Sequence, residues 1–417
     1  MKIISALQSN ETLSRLKNTL SDCLHLTSSA LKPTTSPQPY MWDNWVLMST
    51  PKGVFRCTLE APSSLEPNDR HTHSRIGVYF DDMKGNLQKV DLLPDAPPNW
   101  SGSATVTSDS KDLHLDEKPK KLYKDLSYKL YYTALPDEAT MAKTGLYRPQ
   151  RIAIAEKNAG EKHVQPAKDA IHFYNTYNNG KSDVPNSEFY HLGESQHIIS
   201  ACRDPFVFQK DGQFHMLFAA RYSDQFSKSL PQDLQNTLQD FKAKVSGTLE
   251  NQHEVNSVIG YATSSNGQNW HVEKPVPLPV TAVQLELPSL VQTPKADYLL
   301  AIVSDGNVAI DNHDTGEAIF GPRTQRLVCY EYDNTAGHTS YSEPGAWKEV
   351  HLTKDKSPYA LDFLYGMAFK YDADKNKVAA CAFEDKALKM TKVLYLDLEQ
   401  FPYNLPDNKD KAWLETK

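Results

Sequence analysis

Four short stretches carry residue types that do acid–base and sugar chemistry. The first is Met41-Trp42-Asp43-Asn44-Trp45, an acid between two tryptophans. In that apolar frame a carboxylate loses water, so its ionised form depends on hydrogen bonds, the setting of a nucleophile or of a sugar-binding acid. Tryptophan faces also stack on the C–H faces of sugars, although two core tryptophans around a turn aspartate would give the same letters. The second stretch is Asn99-Trp100-Ser101-Gly102-Ser103-Ala104. Small residues after an aromatic ring let the backbone approach a ligand, and the hydroxyl of Ser101 or Ser103 can orient a carboxylate.

The third is Cys202-Arg203-Asp204-Pro205-Phe206, where Arg keeps Asp ionised to accept bonds from vicinal hydroxyls; a surface ion pair is the plainer alternative. In the fourth, Val283-Gln284-Leu285-Glu286-Leu287-Pro288, the glutamate has only apolar and amide neighbours. A carboxyl buried in that way keeps a proton for transfer, as a general acid must; a strand glutamate facing water is the alternative. Retaining hydrolysis of a glycoside needs two carboxyls about 5–5.5 Å apart, and a third acid then has a place on the ring hydroxyls.

The elements that must position these residues are strands. Short apolar runs between turn residues recur from residue 40 onward, as in 75–80, 129–134 and 151–155. Three hairpins share one plan, an apolar run, a polar turn and a second apolar run, and are led by Asp204, Glu286 and Tyr365, which lie 82 and 79 residues apart. So even a period suggests an all-β propeller enlarged by insertions, in which inner strands start at one axial pocket; a large sandwich is the alternative. Before residue 40, Leu13, Leu16, Leu20 and Leu24 predict a helix up to about Leu31, and Pro33, Pro37 and Pro39 predict an extended linker, giving domains 1–39 and 40–417. Helical spacing at Leu234, Leu238 and Phe241 predicts a surface helix between Pro231 and Leu249, and the charge-rich stretch from about Ser108 to Lys121 reads as a solvated loop.

Composition narrows the function classes. The 417 residues carry a net charge of -7, so there is no basic excess for a nucleic-acid face, and no apolar run is long enough to span a membrane. Polar residues follow Met1-Lys2-Ile3-Ile4 too soon for a cleavable signal peptide. Five scattered cysteines exclude a zinc ribbon and suit a reducing compartment.

In their order and spacing, the four stretches resemble glycoside hydrolase family 68, the levansucrases, inulosucrases and β-fructofuranosidases. That family carries W-D-x-W, W-S-G-S-A, R-D-P and D-[EQ]-x-E-R-P motifs, and the likeness runs from about Tyr40 to about Phe383. The resemblance implies a five-bladed β-propeller behind the N-terminal helical segment. It also implies a retaining hydrolase or fructosyltransferase acting on sucrose or a related fructoside. By motif position Asp43 is the nucleophile, Glu286 the acid–base residue and Asp204 the transition-state stabiliser. By the same likeness Trp42, Trp100, Ser101, Arg203 and Gln284 would line the sugar subsite, and Tyr365, leading the fifth blade, is a candidate pocket phenol. Two departures stand out: Leu287 occupies the place of the family's arginine, and Val283 that of an aspartate that binds calcium in some relatives. No metal or cofactor is therefore expected, and the expected partner is a small sugar. A carbohydrate-binding propeller with little turnover, a glycosidase for another furanoside and an interaction scaffold remain as alternatives. Some relatives leave the cell without a cleaved signal, so the location stays open between the cytoplasm and signal-independent export.

Overall fold

The computed structural model describes residues 38–93, 98–109, 113–135, 150–171, 184–191, 201–246, 256–280, 282, 284–304, 309–311, 318–320, 325–353, 356 and 359–414. The helix expected before residue 32 and most of the Pro-rich linker lie outside them. From Tyr40 on the protein is a five-bladed β-propeller, each blade an antiparallel sheet that begins with its innermost strand.

Blade 1 is β1 (Tyr40–Thr50), β2 (Gly53–Ala61), β3 (Arg75–Asp81) and β4 (Leu87–Leu92). Blade 2 is β5 (Asn99–Val106), β6 (Tyr128–Ala134), β7 (Arg151–Lys157) and β8 (Gln165–Ile171), and blade 3 is β9 (Cys202–Lys210), β10 (Gln213–Arg221), β11 (Ser257–Ser264) and β12 (His271–Val272). Blade 4 is built from β13 (Gln284–Gln292) and β14 (Asp297–Ser304); a separate ribbon, β15 (Ala309–Asp311) with β16 (Ala318–Phe320), precedes its outer strands β17 (Gln325–Tyr332), β18 (Trp347–Val350) and β19 (Tyr359–Ala360). Blade 5 is β20 (Leu364–Asp372), β21 (Lys377–Glu384), β22 (Lys389–Met390) and β23 (Leu394–Asp397).

Each blade is covered on both faces, which explains why its middle strands read as continuous apolar runs rather than as alternating ones. In β14 the side chains of Leu299, Ala301 and Val303 join the core shared with blade 3, while Tyr298, Leu300 and Ile302 join the core shared with blade 5. The period of two along the strand thus feeds two interfaces at once. Five apolar clusters result, one for each pair of neighbouring blades.

The ring closes between blades 1 and 5 largely through side chains. Among the described residues one backbone bond crosses the seam, from Met41 N–H to the Leu388 carbonyl at 2.7 Å. Beside it, Asn44 donates to the Ala382 carbonyl at 2.7 Å and accepts from Arg56. Arg56 is fully buried; it also donates to Asp81 at 3.0 Å and to the Thr391 carbonyl at 2.7 Å.

Two features lie on the outside. Helix α1 (Pro119–Asp125) follows β5, and α2 (Asp224–Ser229) with α3 (Gln232–Ser246) follows β10. Leu234 and Leu238 of α3 pack against the core of blades 2 and 3. The stretch expected as a solvated loop from Ser108 to Lys121 needs correction. Leu113 is buried, Leu115 packs against the core of blades 1 and 2, and the first turn of α1 begins at Pro119. Two leucines two positions apart are enough to anchor that connection on the blade seam.

Replacing Arg56 with Leu would leave the Asp81 carboxylate buried without its cation, so a loss of about 3–5 kcal/mol is expected. Urea denaturation measures it, and Arg56→Leu combined with Asp81→Leu should recover part of the loss.

Candidate active site

The five inner strands reach the axis with the same local irregularity. Register against the second strand slips at Asp43 in β1, Ser101 in β5, Asp204-Pro205 in β9, Leu287-Pro288 in β13 and Gly366-Met367 in β20. A bulge bends a strand and re-aims a side chain, here at the point where the strands converge. Four of the bulges need a positive φ, with values of 42° at Asp43, 54° at Asp204, 50° at Leu287 and 58° at Gly366. Such backbone is costly outside glycine and persists where the surroundings hold it. At Gly366 no other residue fits, because a Cβ there would stand 2.8 Å from Asp43 Oδ1.

These bulges bring the sequence-singled residues into one cavity of about 420 Å³, lined by Trp42, Asp43, Trp100, Arg203, Asp204, Gln284, Glu286 and Tyr365. Ser101 stands just behind it and donates to Asp43 Oδ2 at 2.6 Å; Asp43 Oδ1 is buried and has no hydrogen-bond partner among the described residues. Ser103, the other hydroxyl of that motif, points elsewhere and accepts from Val207 N–H at 2.9 Å, tying blade 2 to blade 3. Trp42 is almost wholly buried: Trp42 and Trp45 belong to the core of blades 1 and 2, and only Trp42 reaches the cavity.

Arg203 joins two blades. One of its terminal nitrogens donates to Gln284 Oε1 at 2.8 Å and to Glu286 Oε1 at 2.9 Å, while its Nε lies 3.5 Å from Asp204 Oδ2. Tyr365 donates to Glu286 Oε2. The apolar and amide surroundings expected for Glu286 are therefore corrected: its two oxygens are held by a guanidinium and a phenol that come from other blades. Asp204 also accepts from the Leu287 N–H at 3.3 Å, a bond that does not depend on the side chain at that position. Thr133 of β6 accepts from the Asp204 N–H at 2.9 Å and fixes the bulge.

The acids influence one another. Burial pushes the Asp43 carboxyl up to about 7; the Ser101 bond opposes this, the charges of Asp204 and Glu286 add to it, and Arg70 opposes it. Burial lifts Asp204 to about 6, with the Arg203 charge pulling it down and Glu286 pushing it up. The Tyr365 phenol is raised well above its ordinary range by burial and by the neighbouring acids, so it stays a proton donor in a hydrogen bond.

Sequence reading passed over the upper wall. There the 3-10 turn Pro67–Thr72 between β2 and β3 brings Arg70, His71 and Thr72 to the cavity, joined by Gln325 and Asp385 from blades 4 and 5. The Arg70 guanidinium lies 5.6 Å from the Trp42 ring centre, and the His71 ring stands edge-on between Trp42 and Trp100 at 5.9 and 6.0 Å. The Trp100 indole N–H donates to the His71 carbonyl at 3.1 Å. This turn is a short polar run, indistinguishable in sequence from any solvated connection. Among the described residues no group of three or more His, Cys, Asp and Glu side chains is placed to hold a metal ion, and no helix is long and apolar enough to cross a membrane. Val283 lies outside the described residues.

No family model matches the sequence, and no curated protein matches it. Solved structures do share the fold. An inulosucrase from Halalkalicoccus jeotgali bound to kestose superposes with a TM-score of 0.51 at 16% identity, over 92% of this chain and 93% of that one. Bacillus subtilis levansucrase gives 0.54 at 14% identity, over 90% and 91%. A levansucrase variant complexed with sucrose gives 0.55 at 14% identity, over 91% of each chain.

The raised Asp43 carboxyl carries a stability signature. The unfolded chain ionises this group near pH 4, whereas the folded chain holds its proton to about 7, so its contribution to stability is full below about pH 4 and is lost as pH rises through 7. Asp43→Asn should therefore melt higher than the wild type at pH 8, with the difference fading towards pH 4. Thermal denaturation across that range checks it, and a gain independent of pH would contradict the assignment.

Proposed function

We propose that this protein is a retaining enzyme acting on fructosides, a hydrolase or a fructosyltransferase, with the propeller from residue 40 onward as its catalytic domain. One observation carries the reading: Asp43, Asp204 and Glu286, from three separate blades, line one sugar-sized cavity, and Arg203 links two of them. The neighbours of known fold act in the same direction, since their names identify an inulosucrase and levansucrases.

In this reading Asp43 attacks the anomeric carbon of the fructosyl unit, forming an ester as the bond to the leaving oxygen breaks. Ser101 holds Oδ2, which fixes the carboxylate plane and leaves the other oxygen without a competing donor. Glu286 gives its proton to the departing oxygen, oriented by Arg203 and Tyr365. Positive charge that develops on the ring is met by Asp204, which accepts bonds from ring hydroxyls while Arg203 and the Leu287 N–H hold it in place. Glu286 then takes a proton from water or from a sugar hydroxyl, which attacks the same carbon and frees Asp43. Sucrose is the first donor to test. Carboxylates suffice for every step, so no cofactor enters the scheme.

Incubation with sucrose and with raffinose, followed by measurement of free glucose, fructose and polymer, tests the reading directly. Release should fall about a thousandfold or more in Asp43→Ala and in Glu286→Ala. Binding of sugar by the wild type with no release would instead mark a lectin-like propeller, and inertness toward every fructoside with release from an arabinoside would move the reading to another furanoside.

The acid limb of the rate profile gives a second test. Attack requires ionised Asp43, so kcat/KM should rise with pH through about 7. Ser101→Ala removes a bond that favours the ionised carboxylate, and the limb should move to higher pH; an unmoved limb would show that another group governs it.

A further inference from the structure

A bulge turns a side chain inward by breaking the ladder, and the backbone groups of the extra residue lose their partner strand. In blade 2 the slip lies between Trp100 and Gly102, so Ser101 has no paired residue in β6. In blade 3 it lies between Arg203 and Phe206, so Asp204 has no paired residue in β10. Both residues are buried, and their backbone groups need partners inside the protein. One side chain serves them both. Thr133 Oγ1 donates to the Ser101 carbonyl at 3.2 Å and accepts from the Asp204 N–H at 2.9 Å. Thr133 is fully buried in the second strand of blade 2, opposite Trp100 and Ile152. Two places along that strand, Tyr131 belongs to the core of blades 2 and 3, so the period of two aims Thr133 at blade 3 as well. A hydroxyl donates and accepts at one atom; a valine of the same shape would satisfy neither group.

The two groups joined in this way belong to residues that hold the acids. Ser101 donates through its own hydroxyl to Asp43 Oδ2 at 2.6 Å, while the Asp204 carboxyl is held from the other side by the Leu287 N–H and Arg203. A line of hydrogen bonds thus runs from Asp43 through Ser101 and Thr133 to the backbone of Asp204, across three blades and without Arg203. Ser103 provides a contrast two residues along β5. It accepts from the Val207 N–H at 2.9 Å, a bond of the same kind between the same two blades, and makes no hydrogen bond to the three acids among the described residues. Resting on the fructoside reading above, we infer that Thr133 is a positioning residue of the reaction. Its hydroxyl sets Ser101 and Asp204 relative to one another and reaches Asp43 only through Ser101.

Thr133→Val, Thr133→Ser and Ser103→Ala, set beside the wild type in turnover of sucrose and raffinose and in thermal denaturation, test this. Thr133→Val should lose about tenfold or more in kcat with KM within about threefold, because misplacement of the attacking and stabilising groups is felt mainly as charge develops. Its acid limb should move to higher pH, as for Ser101→Ala, since a Ser101 released from Thr133 bonds Asp43 less well. Thr133→Ser should stay within about threefold of the wild-type kcat and keep the limb. Ser103→Ala should melt lower yet keep both. Melting also gives a readout free of turnover. A weaker Ser101 bond raises the folded-state Asp43 carboxyl further, and the stability tied to that group is lost as pH rises through about 7. The melting deficit of Thr133→Val should therefore be larger at about pH 8 than at about pH 5. A loss carried by KM alone, an unmoved limb with a melting deficit independent of pH, or a Ser103→Ala protein that matches Thr133→Val in every readout would each overturn the inference. If Thr133→Val does not fold, Thr133→Cys, whose thiol donates and accepts weakly, carries the same comparisons with smaller shifts in the same directions. A wild type inert toward both sugars would overturn the fructoside reading, and the melting comparison alone would then decide whether Thr133 acts on Asp43.

Discussion

Three carboxyl groups that repel one another share this pocket, and Arg203 makes their proximity tolerable. It touches acids from two blades and an amide beside them, from a position almost without solvent. Removing charge from water is expensive, and the raised Asp43 and Asp204 carboxyls record what burial still costs after the guanidinium, the Ser101 hydroxyl and the Leu287 amide have acted. In the proposed function such tension has a use, because a carboxylate poorly solvated at rest gains by forming a bond to carbon. The remaining architecture serves to hold these groups together against their mutual repulsion.

That holding is done by backbone irregularity more than by side-chain choice. An inner strand with regular pleat would send alternate residues into the two neighbouring blades and none toward the axis. An extra residue near the start of each strand breaks the alternation once and turns one group inward. At Asp43 and Asp204 the inward group is the acid itself. At Leu287 the bulge follows Glu286 and supplies an amide, and at Gly366 it clears room for the Asp43 oxygen. The five positions are thus chemically different uses of one geometric device.

Much of this was legible in the amino-acid sequence. Repeating hairpins led by Asp204, Glu286 and Tyr365 gave the propeller, because blade strands buried on both faces must be apolar throughout while the turns between them cannot be. The residues of the pocket floor could be named because they head those strands. What escaped has physical reasons. Arg70 and His71 sit in a polar turn whose letters suit solvent equally well, and only the folding of the turn over Trp42 gives them a role. The environment of Glu286 was misread because its partners, Arg203 and Tyr365, come from sites about 80 residues away in either direction along the chain. Leu113 and Leu115 were hidden in a charged stretch, since two apolar side chains produce no periodicity.

The seam of the ring runs beside Asp43. Strand β1 is held to blade 5 by a compact apolar cluster, one backbone bond and the side chains around Arg56, whereas strands within a blade are joined by full ladders. The joint at which the ring closes on itself therefore stands beside Asp43. Under the proposed function, loosening of that joint would disturb the nucleophile, so turnover would serve as a gauge of whether the annulus is intact.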